Sequence, residues 1–323
     1  MKRRVAIVGA GVSGLTCGVL FAECGYRTAI FAEETAQRTT SAAAAAVWFP
    51  YDAEPADAVI AWALETYKLL VDLARERGTG VSIIELRQFS RTGEIQIPQW
   101  VIRLGARQIN RDEVLPAFTR GFMMNVPLMD TAIYLDYLAK RFLAAGGEIN
   151  RNVRFEKLED VSPAFDLVIN CAGIGARELV QDIDLEPHRG QVAIVQKIDN
   201  LSCAIVCDDP PLMYAIPRTN DCVFGGTNEI SDNLNADPTA TARILDECSR
   251  VLKIDNPTVL AERVGLRPFR KSGVRLERGR LRDGRMVIHN YGHGGSGFTL
   301  SWGCAEKVLG LRNSSQRLAA SSG

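Results

Sequence analysis

The stretch Arg4-Val5-Ala6-Ile7-Val8-Gly9-Ala10-Gly11-Val12-Ser13-Gly14 decides how this chain is read. Its first five residues predict a short strand, and a GxGxxG run follows at once. A helix-like segment continues to about Glu23, and Gly25 ends it. A second strand-like run, Arg27-Thr28-Ala29-Ile30-Phe31, then closes on Ala32-Glu33-Glu34. Each part has a physical task. Gly9 permits the tight turn, Gly11 lets backbone approach a pyrophosphate, and Gly14 allows close helix-strand packing. Ala10, Val12 and Ser13 complete that loop, where a helix N-terminus offers unpaired N–H groups and a positive dipole end. Glu33, 19 residues after Gly14, suits the ribose hydroxyls of an adenosine and disfavours a 2′-phosphate. The unit predicts dinucleotide binding, but it does not by itself separate NAD from FAD.

Bulk properties narrow the field. The chain has 323 residues, 46% apolar and 24% charged, with 38 basic and 38 acidic side chains. That is long enough for one large or two modest domains with buried cores. A net charge of zero gives no overall field towards nucleic acid or an anionic membrane. The basic segment 263–285, with nine Lys or Arg residues, is the one feature favouring a nucleic-acid partner. Glu277 and Asp283 interrupt it, and its alternation is that of a half-exposed strand, so no such partner is expected. Eight cysteines without a CxxC pair or histidine spacing predict core thiols in a reducing compartment, not a metal site. The basic and apolar N-terminus superficially matches a signal peptide. Its spaced glycines, and the lack of a convincing cleavage site before Glu23 and Arg27, favour a cytoplasmic protein without a membrane span.

Further along, Thr39-Thr40-Ser41 precedes five alanines and Val47-Trp48-Phe49-Pro50-Tyr51. This run predicts either a helix start packed on a ligand, with hydroxyls facing phosphate, or a plain alanine helix. Asp57 to Arg75 reads as an amphipathic helix, and Val81 to about Leu104 as alternating β structure, including Gln99-Trp100-Val101-Ile102-Arg103-Leu104. Helices are expected at 131–145 and 238–252, a buried strand within 165–176, and several short strands over 191–227. The fold class expected is α/β: a discontinuous Rossmann-type nucleotide domain (1–50, 131–190 and 265–323) and a β-rich antiparallel substrate domain (51–130 and 191–264).

Near the C-terminus, a strand around Met286–His289 leads into Ile288-His289-Asn290-Tyr291-Gly292-His293-Gly294-Gly295-Ser296-Gly297-Phe298-Thr299. A helix is expected from near Ser296 to about Leu311, followed by a frayed tail. Two of the three histidines and four glycines lie in these twelve residues. Such bare backbone at a helix N-terminus suits the flavin end of FAD, where reduction creates negative charge.

This motif closely resembles the C-terminal signature of the D-amino-acid oxidase family of flavoenzymes. The resemblance extends over nearly the whole chain, through VAIVGAGVSGL, TTSAAAAAVWFPY, VINCAGIGA, HRGQV, YAIP…FGG and ERVGLRPFR…VRLE. It implies FAD contacts at Gly9, Gly11, Gly14, Glu33, Glu34, Thr39, Thr40, Ser41, Ala46, Val47, Val153, Ala172 and Gly173, completed by Gly294 to Thr299. It also implies that Arg267 and Tyr214 hold the substrate α-carboxylate and that the Gly295 carbonyl receives the amine. His293 is expected to organise the loop rather than act as a base. Val47, Phe49 and Met213 should flank the pocket, favouring neutral or hydrophobic D-amino acids. Arg218, after Pro217, is expected to be exposed. The segment Cys207-Asp208-Asp209-Pro210-Pro211-Leu212-Met213-Tyr214 lacks the second tyrosine of the eukaryotic lid. The implied reaction is oxidative deamination by hydride transfer to FAD, with molecular oxygen as co-substrate and hydrogen peroxide as product; a homodimer is one implied assembly. Glycine or sarcosine oxidation, D-aspartate oxidation and a D-amino-acid dehydrogenase remain alternatives, as does a redox-silent nucleotide sensor.

Overall fold

Along the first strand, Val5 and Ile7 turn one way and Ala6 and Val8 the other, and all four are buried. A strand apolar on both faces belongs inside a parallel sheet covered on both sides, and that is its position in the computed structural model, which describes residues 3–35, 38–93 and 95–320. The strands, in chain order, are β1 (Arg4–Ala10), β2 (Arg27–Thr35), β3 (Val81–Ser90), β4 (Arg107–Gln108) and β5 (Arg120–Met129). Then come β6 (Glu148–Arg151), β7 (Leu167–Asn170), β8 (Leu185–Gln196), β9 (Cys203–Cys207) and β10 (Met213–Pro217). The last five are β11 (Asp221–Gly225), β12 (Glu229–Ile230), β13 (Val259–Arg270), β14 (Arg275–Arg280) and β15 (Met286–Tyr291). The helices are α1 (Val12–Glu23), α2 (Ala56–Leu73), α3 (Gln99–Arg103), α4 (Thr131–Ala144), α5 (Ala176–Leu179), α6 (Pro238–Leu252) and α7 (Gly297–Ala320).

Two sheets organise these elements. The six-stranded sheet runs β14-β15-β7-β1-β2-β6, parallel except for the β14–β15 edge. Helices α1, α4 and α7 cover one face, with Phe21, Leu138, Phe142 and Leu300 packed against Val5, Ile7 and Ile30. The nine-stranded sheet runs β12-β8-β11-β10-β9-β3-β5-β4, with β13 paired to β8. All its pairings are antiparallel except β3 with β9. One of its faces joins the main core and the other packs under α6. The nine-stranded sheet does not break at two of the expected boundaries: β8 and β13 run unbroken through positions 190/191 and 264/265.

Three local expectations are corrected. The alanine run does not become a full helix: a 3-10 turn at Thr40–Ala43 gives way to Ala46 at φ 57°, whose carbonyl accepts from the Met129 N–H at 3.0 Å. Pairing of this segment with β5 outweighs the helix propensity of alanine. Gln99–Arg103 is a helix rather than a strand, set off by Pro98, because a short apolar run carries no decisive period. Helix α7 continues past Leu311 to Ala320, so the expected frayed tail is helical at least that far; residues 321–323 lie outside the described residues.

Deep in the core, the Trp302 Nε1–H donates to the Tyr134 hydroxyl at 2.8 Å, tying α7 to α4. Tyr134→Phe leaves that indole N–H unpaired, an expected loss of about 1–3 kcal/mol. A lower urea midpoint with an unchanged slope checks it.

Candidate active site

A cleft of about 1070 Å³ lies where the two sheets meet. Its nucleotide end is built from the β1–α1 turn. Gly9 sits at φ 109°, and a side chain on Gly14 would place its Cβ only 2.0 Å from the Gly9 carbonyl oxygen. Gly14 therefore serves the contact of helix with strand, while Gly9, Ala10, Gly11, Val12 and Ser13 line the cleft. The Val12 N–H donates to Ser41 Oγ at 3.0 Å, which leaves the serine proton available to an anion. Thr39 and Thr40 line the same stretch. At the end of β2, Glu33 and Glu34 line the rim, and Glu33 meets Arg154 at 3.2 Å. Val153, Ala172 and Gly173 complete that wall; the Val153 N–H donates to Ala32 O, and the Ala172 N–H to Asn170 Oδ1 at 3.1 Å.

At the C-terminal glycines the structure supplies a reason the sequence did not offer. A Cβ on Gly294, itself at φ 52°, would lie 1.7 Å from the Asp52 carbonyl oxygen, and one on Gly295 would lie 2.5 Å from the Tyr51 ring. The bare backbone admits the segment that follows the alanine run. Two hydroxyls then fasten it. Ser296 Oγ accepts the Tyr51 N–H at 2.7 Å and donates to the Tyr51 carbonyl at 2.6 Å. Thr299 Oγ1 does the same for Phe49, at 3.3 and 3.1 Å. Gly294, Gly295, Gly297, Phe298 and Thr299 line the cleft, as do Ala46, Val47 and Phe49. Ser296 does not, because its hydroxyl is spent on Tyr51 and its N–H on the His293 carbonyl at 2.9 Å.

The other end of the cleft is one face of the nine-stranded sheet. Even-numbered residues face it: Leu86 and Gln88 of β3, Val206 of β9, Tyr214 of β10, Gly190 and Val192 of β8. Glycines serve as its floor. A Cβ on Gly190 would lie 2.5 Å from the Arg267 guanidinium, and one on Gly225 would lie 2.0 Å from the Tyr214 ring. Arg267 is held by the Thr227 carbonyl at 3.0 Å and Asn228 Oδ1 at 3.3 Å, and Asn228 Nδ2 donates to the Tyr51 hydroxyl at 3.2 Å. Burial pushes the Tyr51 and Tyr214 hydroxyls above their usual pKa, and Arg267 beside them pulls the other way.

Two expectations fail here. Met213 does not flank the pocket: it is fully buried among Phe89, Phe224 and Cys248, because Tyr214 faces the cleft and successive strand residues point to opposite faces. Arg218 is not exposed. It is 6% accessible, pairs with Asp221 at 2.6 and 2.9 Å and donates to Thr131 Oγ1 at 3.2 Å, away from the cleft lining. Tyr51, Gln88, Asp208 and Asn228 were not anticipated. The run Val81–Ser90 alternates only loosely, with Ser82 and Ser90 on the same face as Gln88, so no sequence signal singles out any of the four.

His293 is buried and its Nε2 lies 3.0 Å from Asn290 Oδ1. Burial lowers its pKa to about 4, which makes it a neutral organiser of the glycine turn. His289 is likewise lowered to about 4, by burial and then by Arg275.

A family model described as FAD dependent oxidoreductase matches residues 4–310. A D-amino-acid oxidase of Rubrobacter xylanophilus is 39% identical over 316 residues, 95% of each chain. One of Streptomyces coelicolor is 39% identical over 314 residues, covering 95% of this chain and 96% of the relative. A glycine oxidase structure from Bacillus cereus superposes with a TM-score of 0.80 at 18% identity, over 97% of this chain and 96% of that one, a likeness of fold.

This chain belongs to the FAD-dependent oxidoreductase family.

The residues present fit the cofactor such a member uses. The β1–α1 glycine turn with the free Ser41 proton suits a pyrophosphate, and Glu33 at the end of β2 suits a ribose. The start of α7, free of side chains at Gly294, Gly295 and Gly297, suits an aromatic ring system that gains negative charge.

Ser296→Ala removes the partner of both Tyr51 backbone groups, with an expected loss of about 1–3 kcal/mol and weaker retention of FAD. Thermal unfolding and the flavin-to-protein absorbance ratio measure the two effects. The buried histidines add a pH dependence. His293 keeps a pKa near 4 when folded against 6.5 when unfolded, so between those values the unfolded chain takes up the proton that the folded chain refuses. The stability it contributes is complete above pH 6.5 and declines as pH falls towards 4, by up to about 3 kcal/mol. His293→Gln flattens that part of the stability profile of the apoprotein.

Proposed function

We propose that this protein is a D-amino-acid oxidase, converting a D-amino acid to the 2-oxo acid and ammonia. The observation that carries the reading is the pairing of a glycine-floored guanidinium, Arg267, with the Tyr214 hydroxyl on the sheet face of a dinucleotide cleft. A planar guanidinium holds a carboxylate through two parallel hydrogen bonds, and a tyrosine hydroxyl adds a third. Those contacts fix the Cα–H bond, so most of the rate comes from orientation rather than from an acid-base pair. The buried neutral His293 agrees with a site that uses no histidine base. The backbone carbonyl of Gly295 receives the substrate amine. When bound, FAD would supply the acceptor for the α-hydride, with molecular oxygen as the final oxidant and hydrogen peroxide as its product; water hydrolyses the resulting imino acid to the 2-oxo acid and ammonia.

In this reading the six-stranded Rossmann-type sheet holds the cofactor through Gly9 to Ser13, Glu33, Glu34, Thr39 to Ser41, Ala46, Val47, Val153, Ala172 and Gly173. Gly294, Gly295, Gly297, Phe298 and Thr299 hold the flavin end. The nine-stranded sheet holds the amino acid, whose neutral side chain meets Val47 and Phe49. The relatives named D-amino-acid oxidase support the substrate class. A cytoplasmic location agrees with the eight free thiols.

An anaerobic visible spectrum tests this directly. D-methionine or D-alanine, but not the L-isomers, should bleach the flavin band; a flavin left oxidised by every D-amino acid rejects the reading. Arg267→Ala should keep FAD yet raise KM at least about 100-fold, and Tyr214→Phe should lower kcat/KM about tenfold. Steady-state kinetics with a check of flavin content separates these losses from unfolding.

A further inference from the structure

Strands β3 and β9 run parallel, with Leu86 opposite Ala204 and Gln88 opposite Val206. On the cleft face the wall therefore passes from apolar, at Leu86 and Val206, to polar, at Gln88 and then Asp208. Asp208 Oδ2 accepts from Gln88 Nε2 at 2.9 Å. Among the described residues it pairs with no arginine or lysine. Its neighbour Asp209 has one oxygen, Oδ2, committed to the Ser90 hydroxyl at 2.8 Å and the Arg91 N–H at 2.6 Å. Arg91, which donates to the Asp209 carbonyl, is committed to Glu247 at 2.7 Å. Asp208 is thus an open, exposed carboxylate at the polar end of the cleft wall; partial desolvation pushes its pKa up, with Gln88 opposing. The Tyr51 and Tyr214 hydroxyls feel both Arg267 and Asp208, which act on them in opposite directions. The site therefore offers a cation for one end of a ligand and an anion for the other, with apolar walls between.

We propose that Asp208, steadied by Gln88, is the specificity residue that admits basic D-amino acids alongside neutral ones and rejects acidic ones. It rests on the oxidase reading above only for the identity of the ligand's other end. The α-carboxylate lies on Arg267, the methylenes of a lysine-, ornithine- or arginine-like side chain run along Phe49, Leu86 and Val206, and the terminal cation reaches Asp208. An unpaired carboxylate in a partly desolvated wall gains a charge-assisted hydrogen bond from a cation and repels a second carboxylate.

The test compares the FAD-loaded wild type with Asp208→Asn, which keeps the shape and removes the charge. Perturbation of the flavin band reads the binding of 6-aminohexanoate, a lysine without its α-amine, against hexanoate. The amine-bearing ligand should bind at least about tenfold tighter to the wild type, and the advantage should vanish in Asp208→Asn. In turnover, the kcat/KM ratio of D-arginine to D-methionine should fall at least about tenfold in the variant, and that of D-glutamate to D-methionine should rise. Equal binding of the two hexanoates to the wild type overturns the proposal. So does an unchanged D-arginine ratio in a variant with normal flavin content and melting temperature. If no D-amino acid bleaches the flavin, the oxidase reading fails while the hexanoate pair still decides the role of Asp208.

Discussion

Two side-chain hydroxyls and two missing side chains hold the cleft in shape. Ser296 and Thr299 each satisfy both the N–H and the carbonyl of a residue some 250 positions away, Tyr51 and Phe49. Gly294 and Gly295 let that segment lie directly on the turn. Backbone groups buried there without partners would cost about 1–3 kcal/mol each, so the contact has little freedom to drift. Gly297 in turn sits against Val12, where an added Cβ would lie 3.7 Å from the valine methyl. The phosphate loop, the start of α7 and the Tyr51 segment therefore share one wall, and displacement of any of them moves the other two.

The nine-stranded sheet contributes through its pleat. Its odd-numbered face, with Met213, Ala215, Ile205 and Cys207, packs beneath α6, while its even-numbered face carries Tyr214, Val206 and Gln88 into the cleft. Chemistry and packing occupy alternate residues of the same strands, so pocket and hydrophobic layer are separated by the thickness of a sheet. Arg267 reaches the site from β13 and Asp208 from the loop after β9. Charges of opposite sign on the walls of one cleft orient a zwitterion more strongly than bulk solvent does. The buried, neutral histidines fit a site whose work is positioning.

Much of the fold was legible because its signals are local. Gly9 and Gly14 act through steric contacts within one strand-turn-helix unit, and the helices over 56–73, 131–144 and 238–252 follow from amphipathic periods read over a few turns. Gln99–Arg103 was misread, and the alanine run left open between a helix start and a full helix, for the converse reason. Neither stretch has a period long enough to decide its state, and for the alanines it was pairing with β5 that did so.

The active-site residues divide in the same way. Arg267, Tyr214 and the two glycine clusters were visible in the sequence, the first two through the family resemblance, and each contributes to the lining of the cleft. Met213 and Arg218 were misplaced, and Tyr51, Gln88 and Asp208 passed unnoticed, because each depends on which way a side chain points or on a partner far along the chain. Gln88 and Asp208 meet across 120 positions of sequence, and only the parallel pairing of β3 with β9 brings them together. By itself the sequence determined the glycine turn between β1 and α1 and supplied the family resemblance, since glycine sterics and a run of motifs are properties of the residues. The tertiary structure alone decided what surrounds the rest of the ligand, since a wall made from several strands exists only once their register is set.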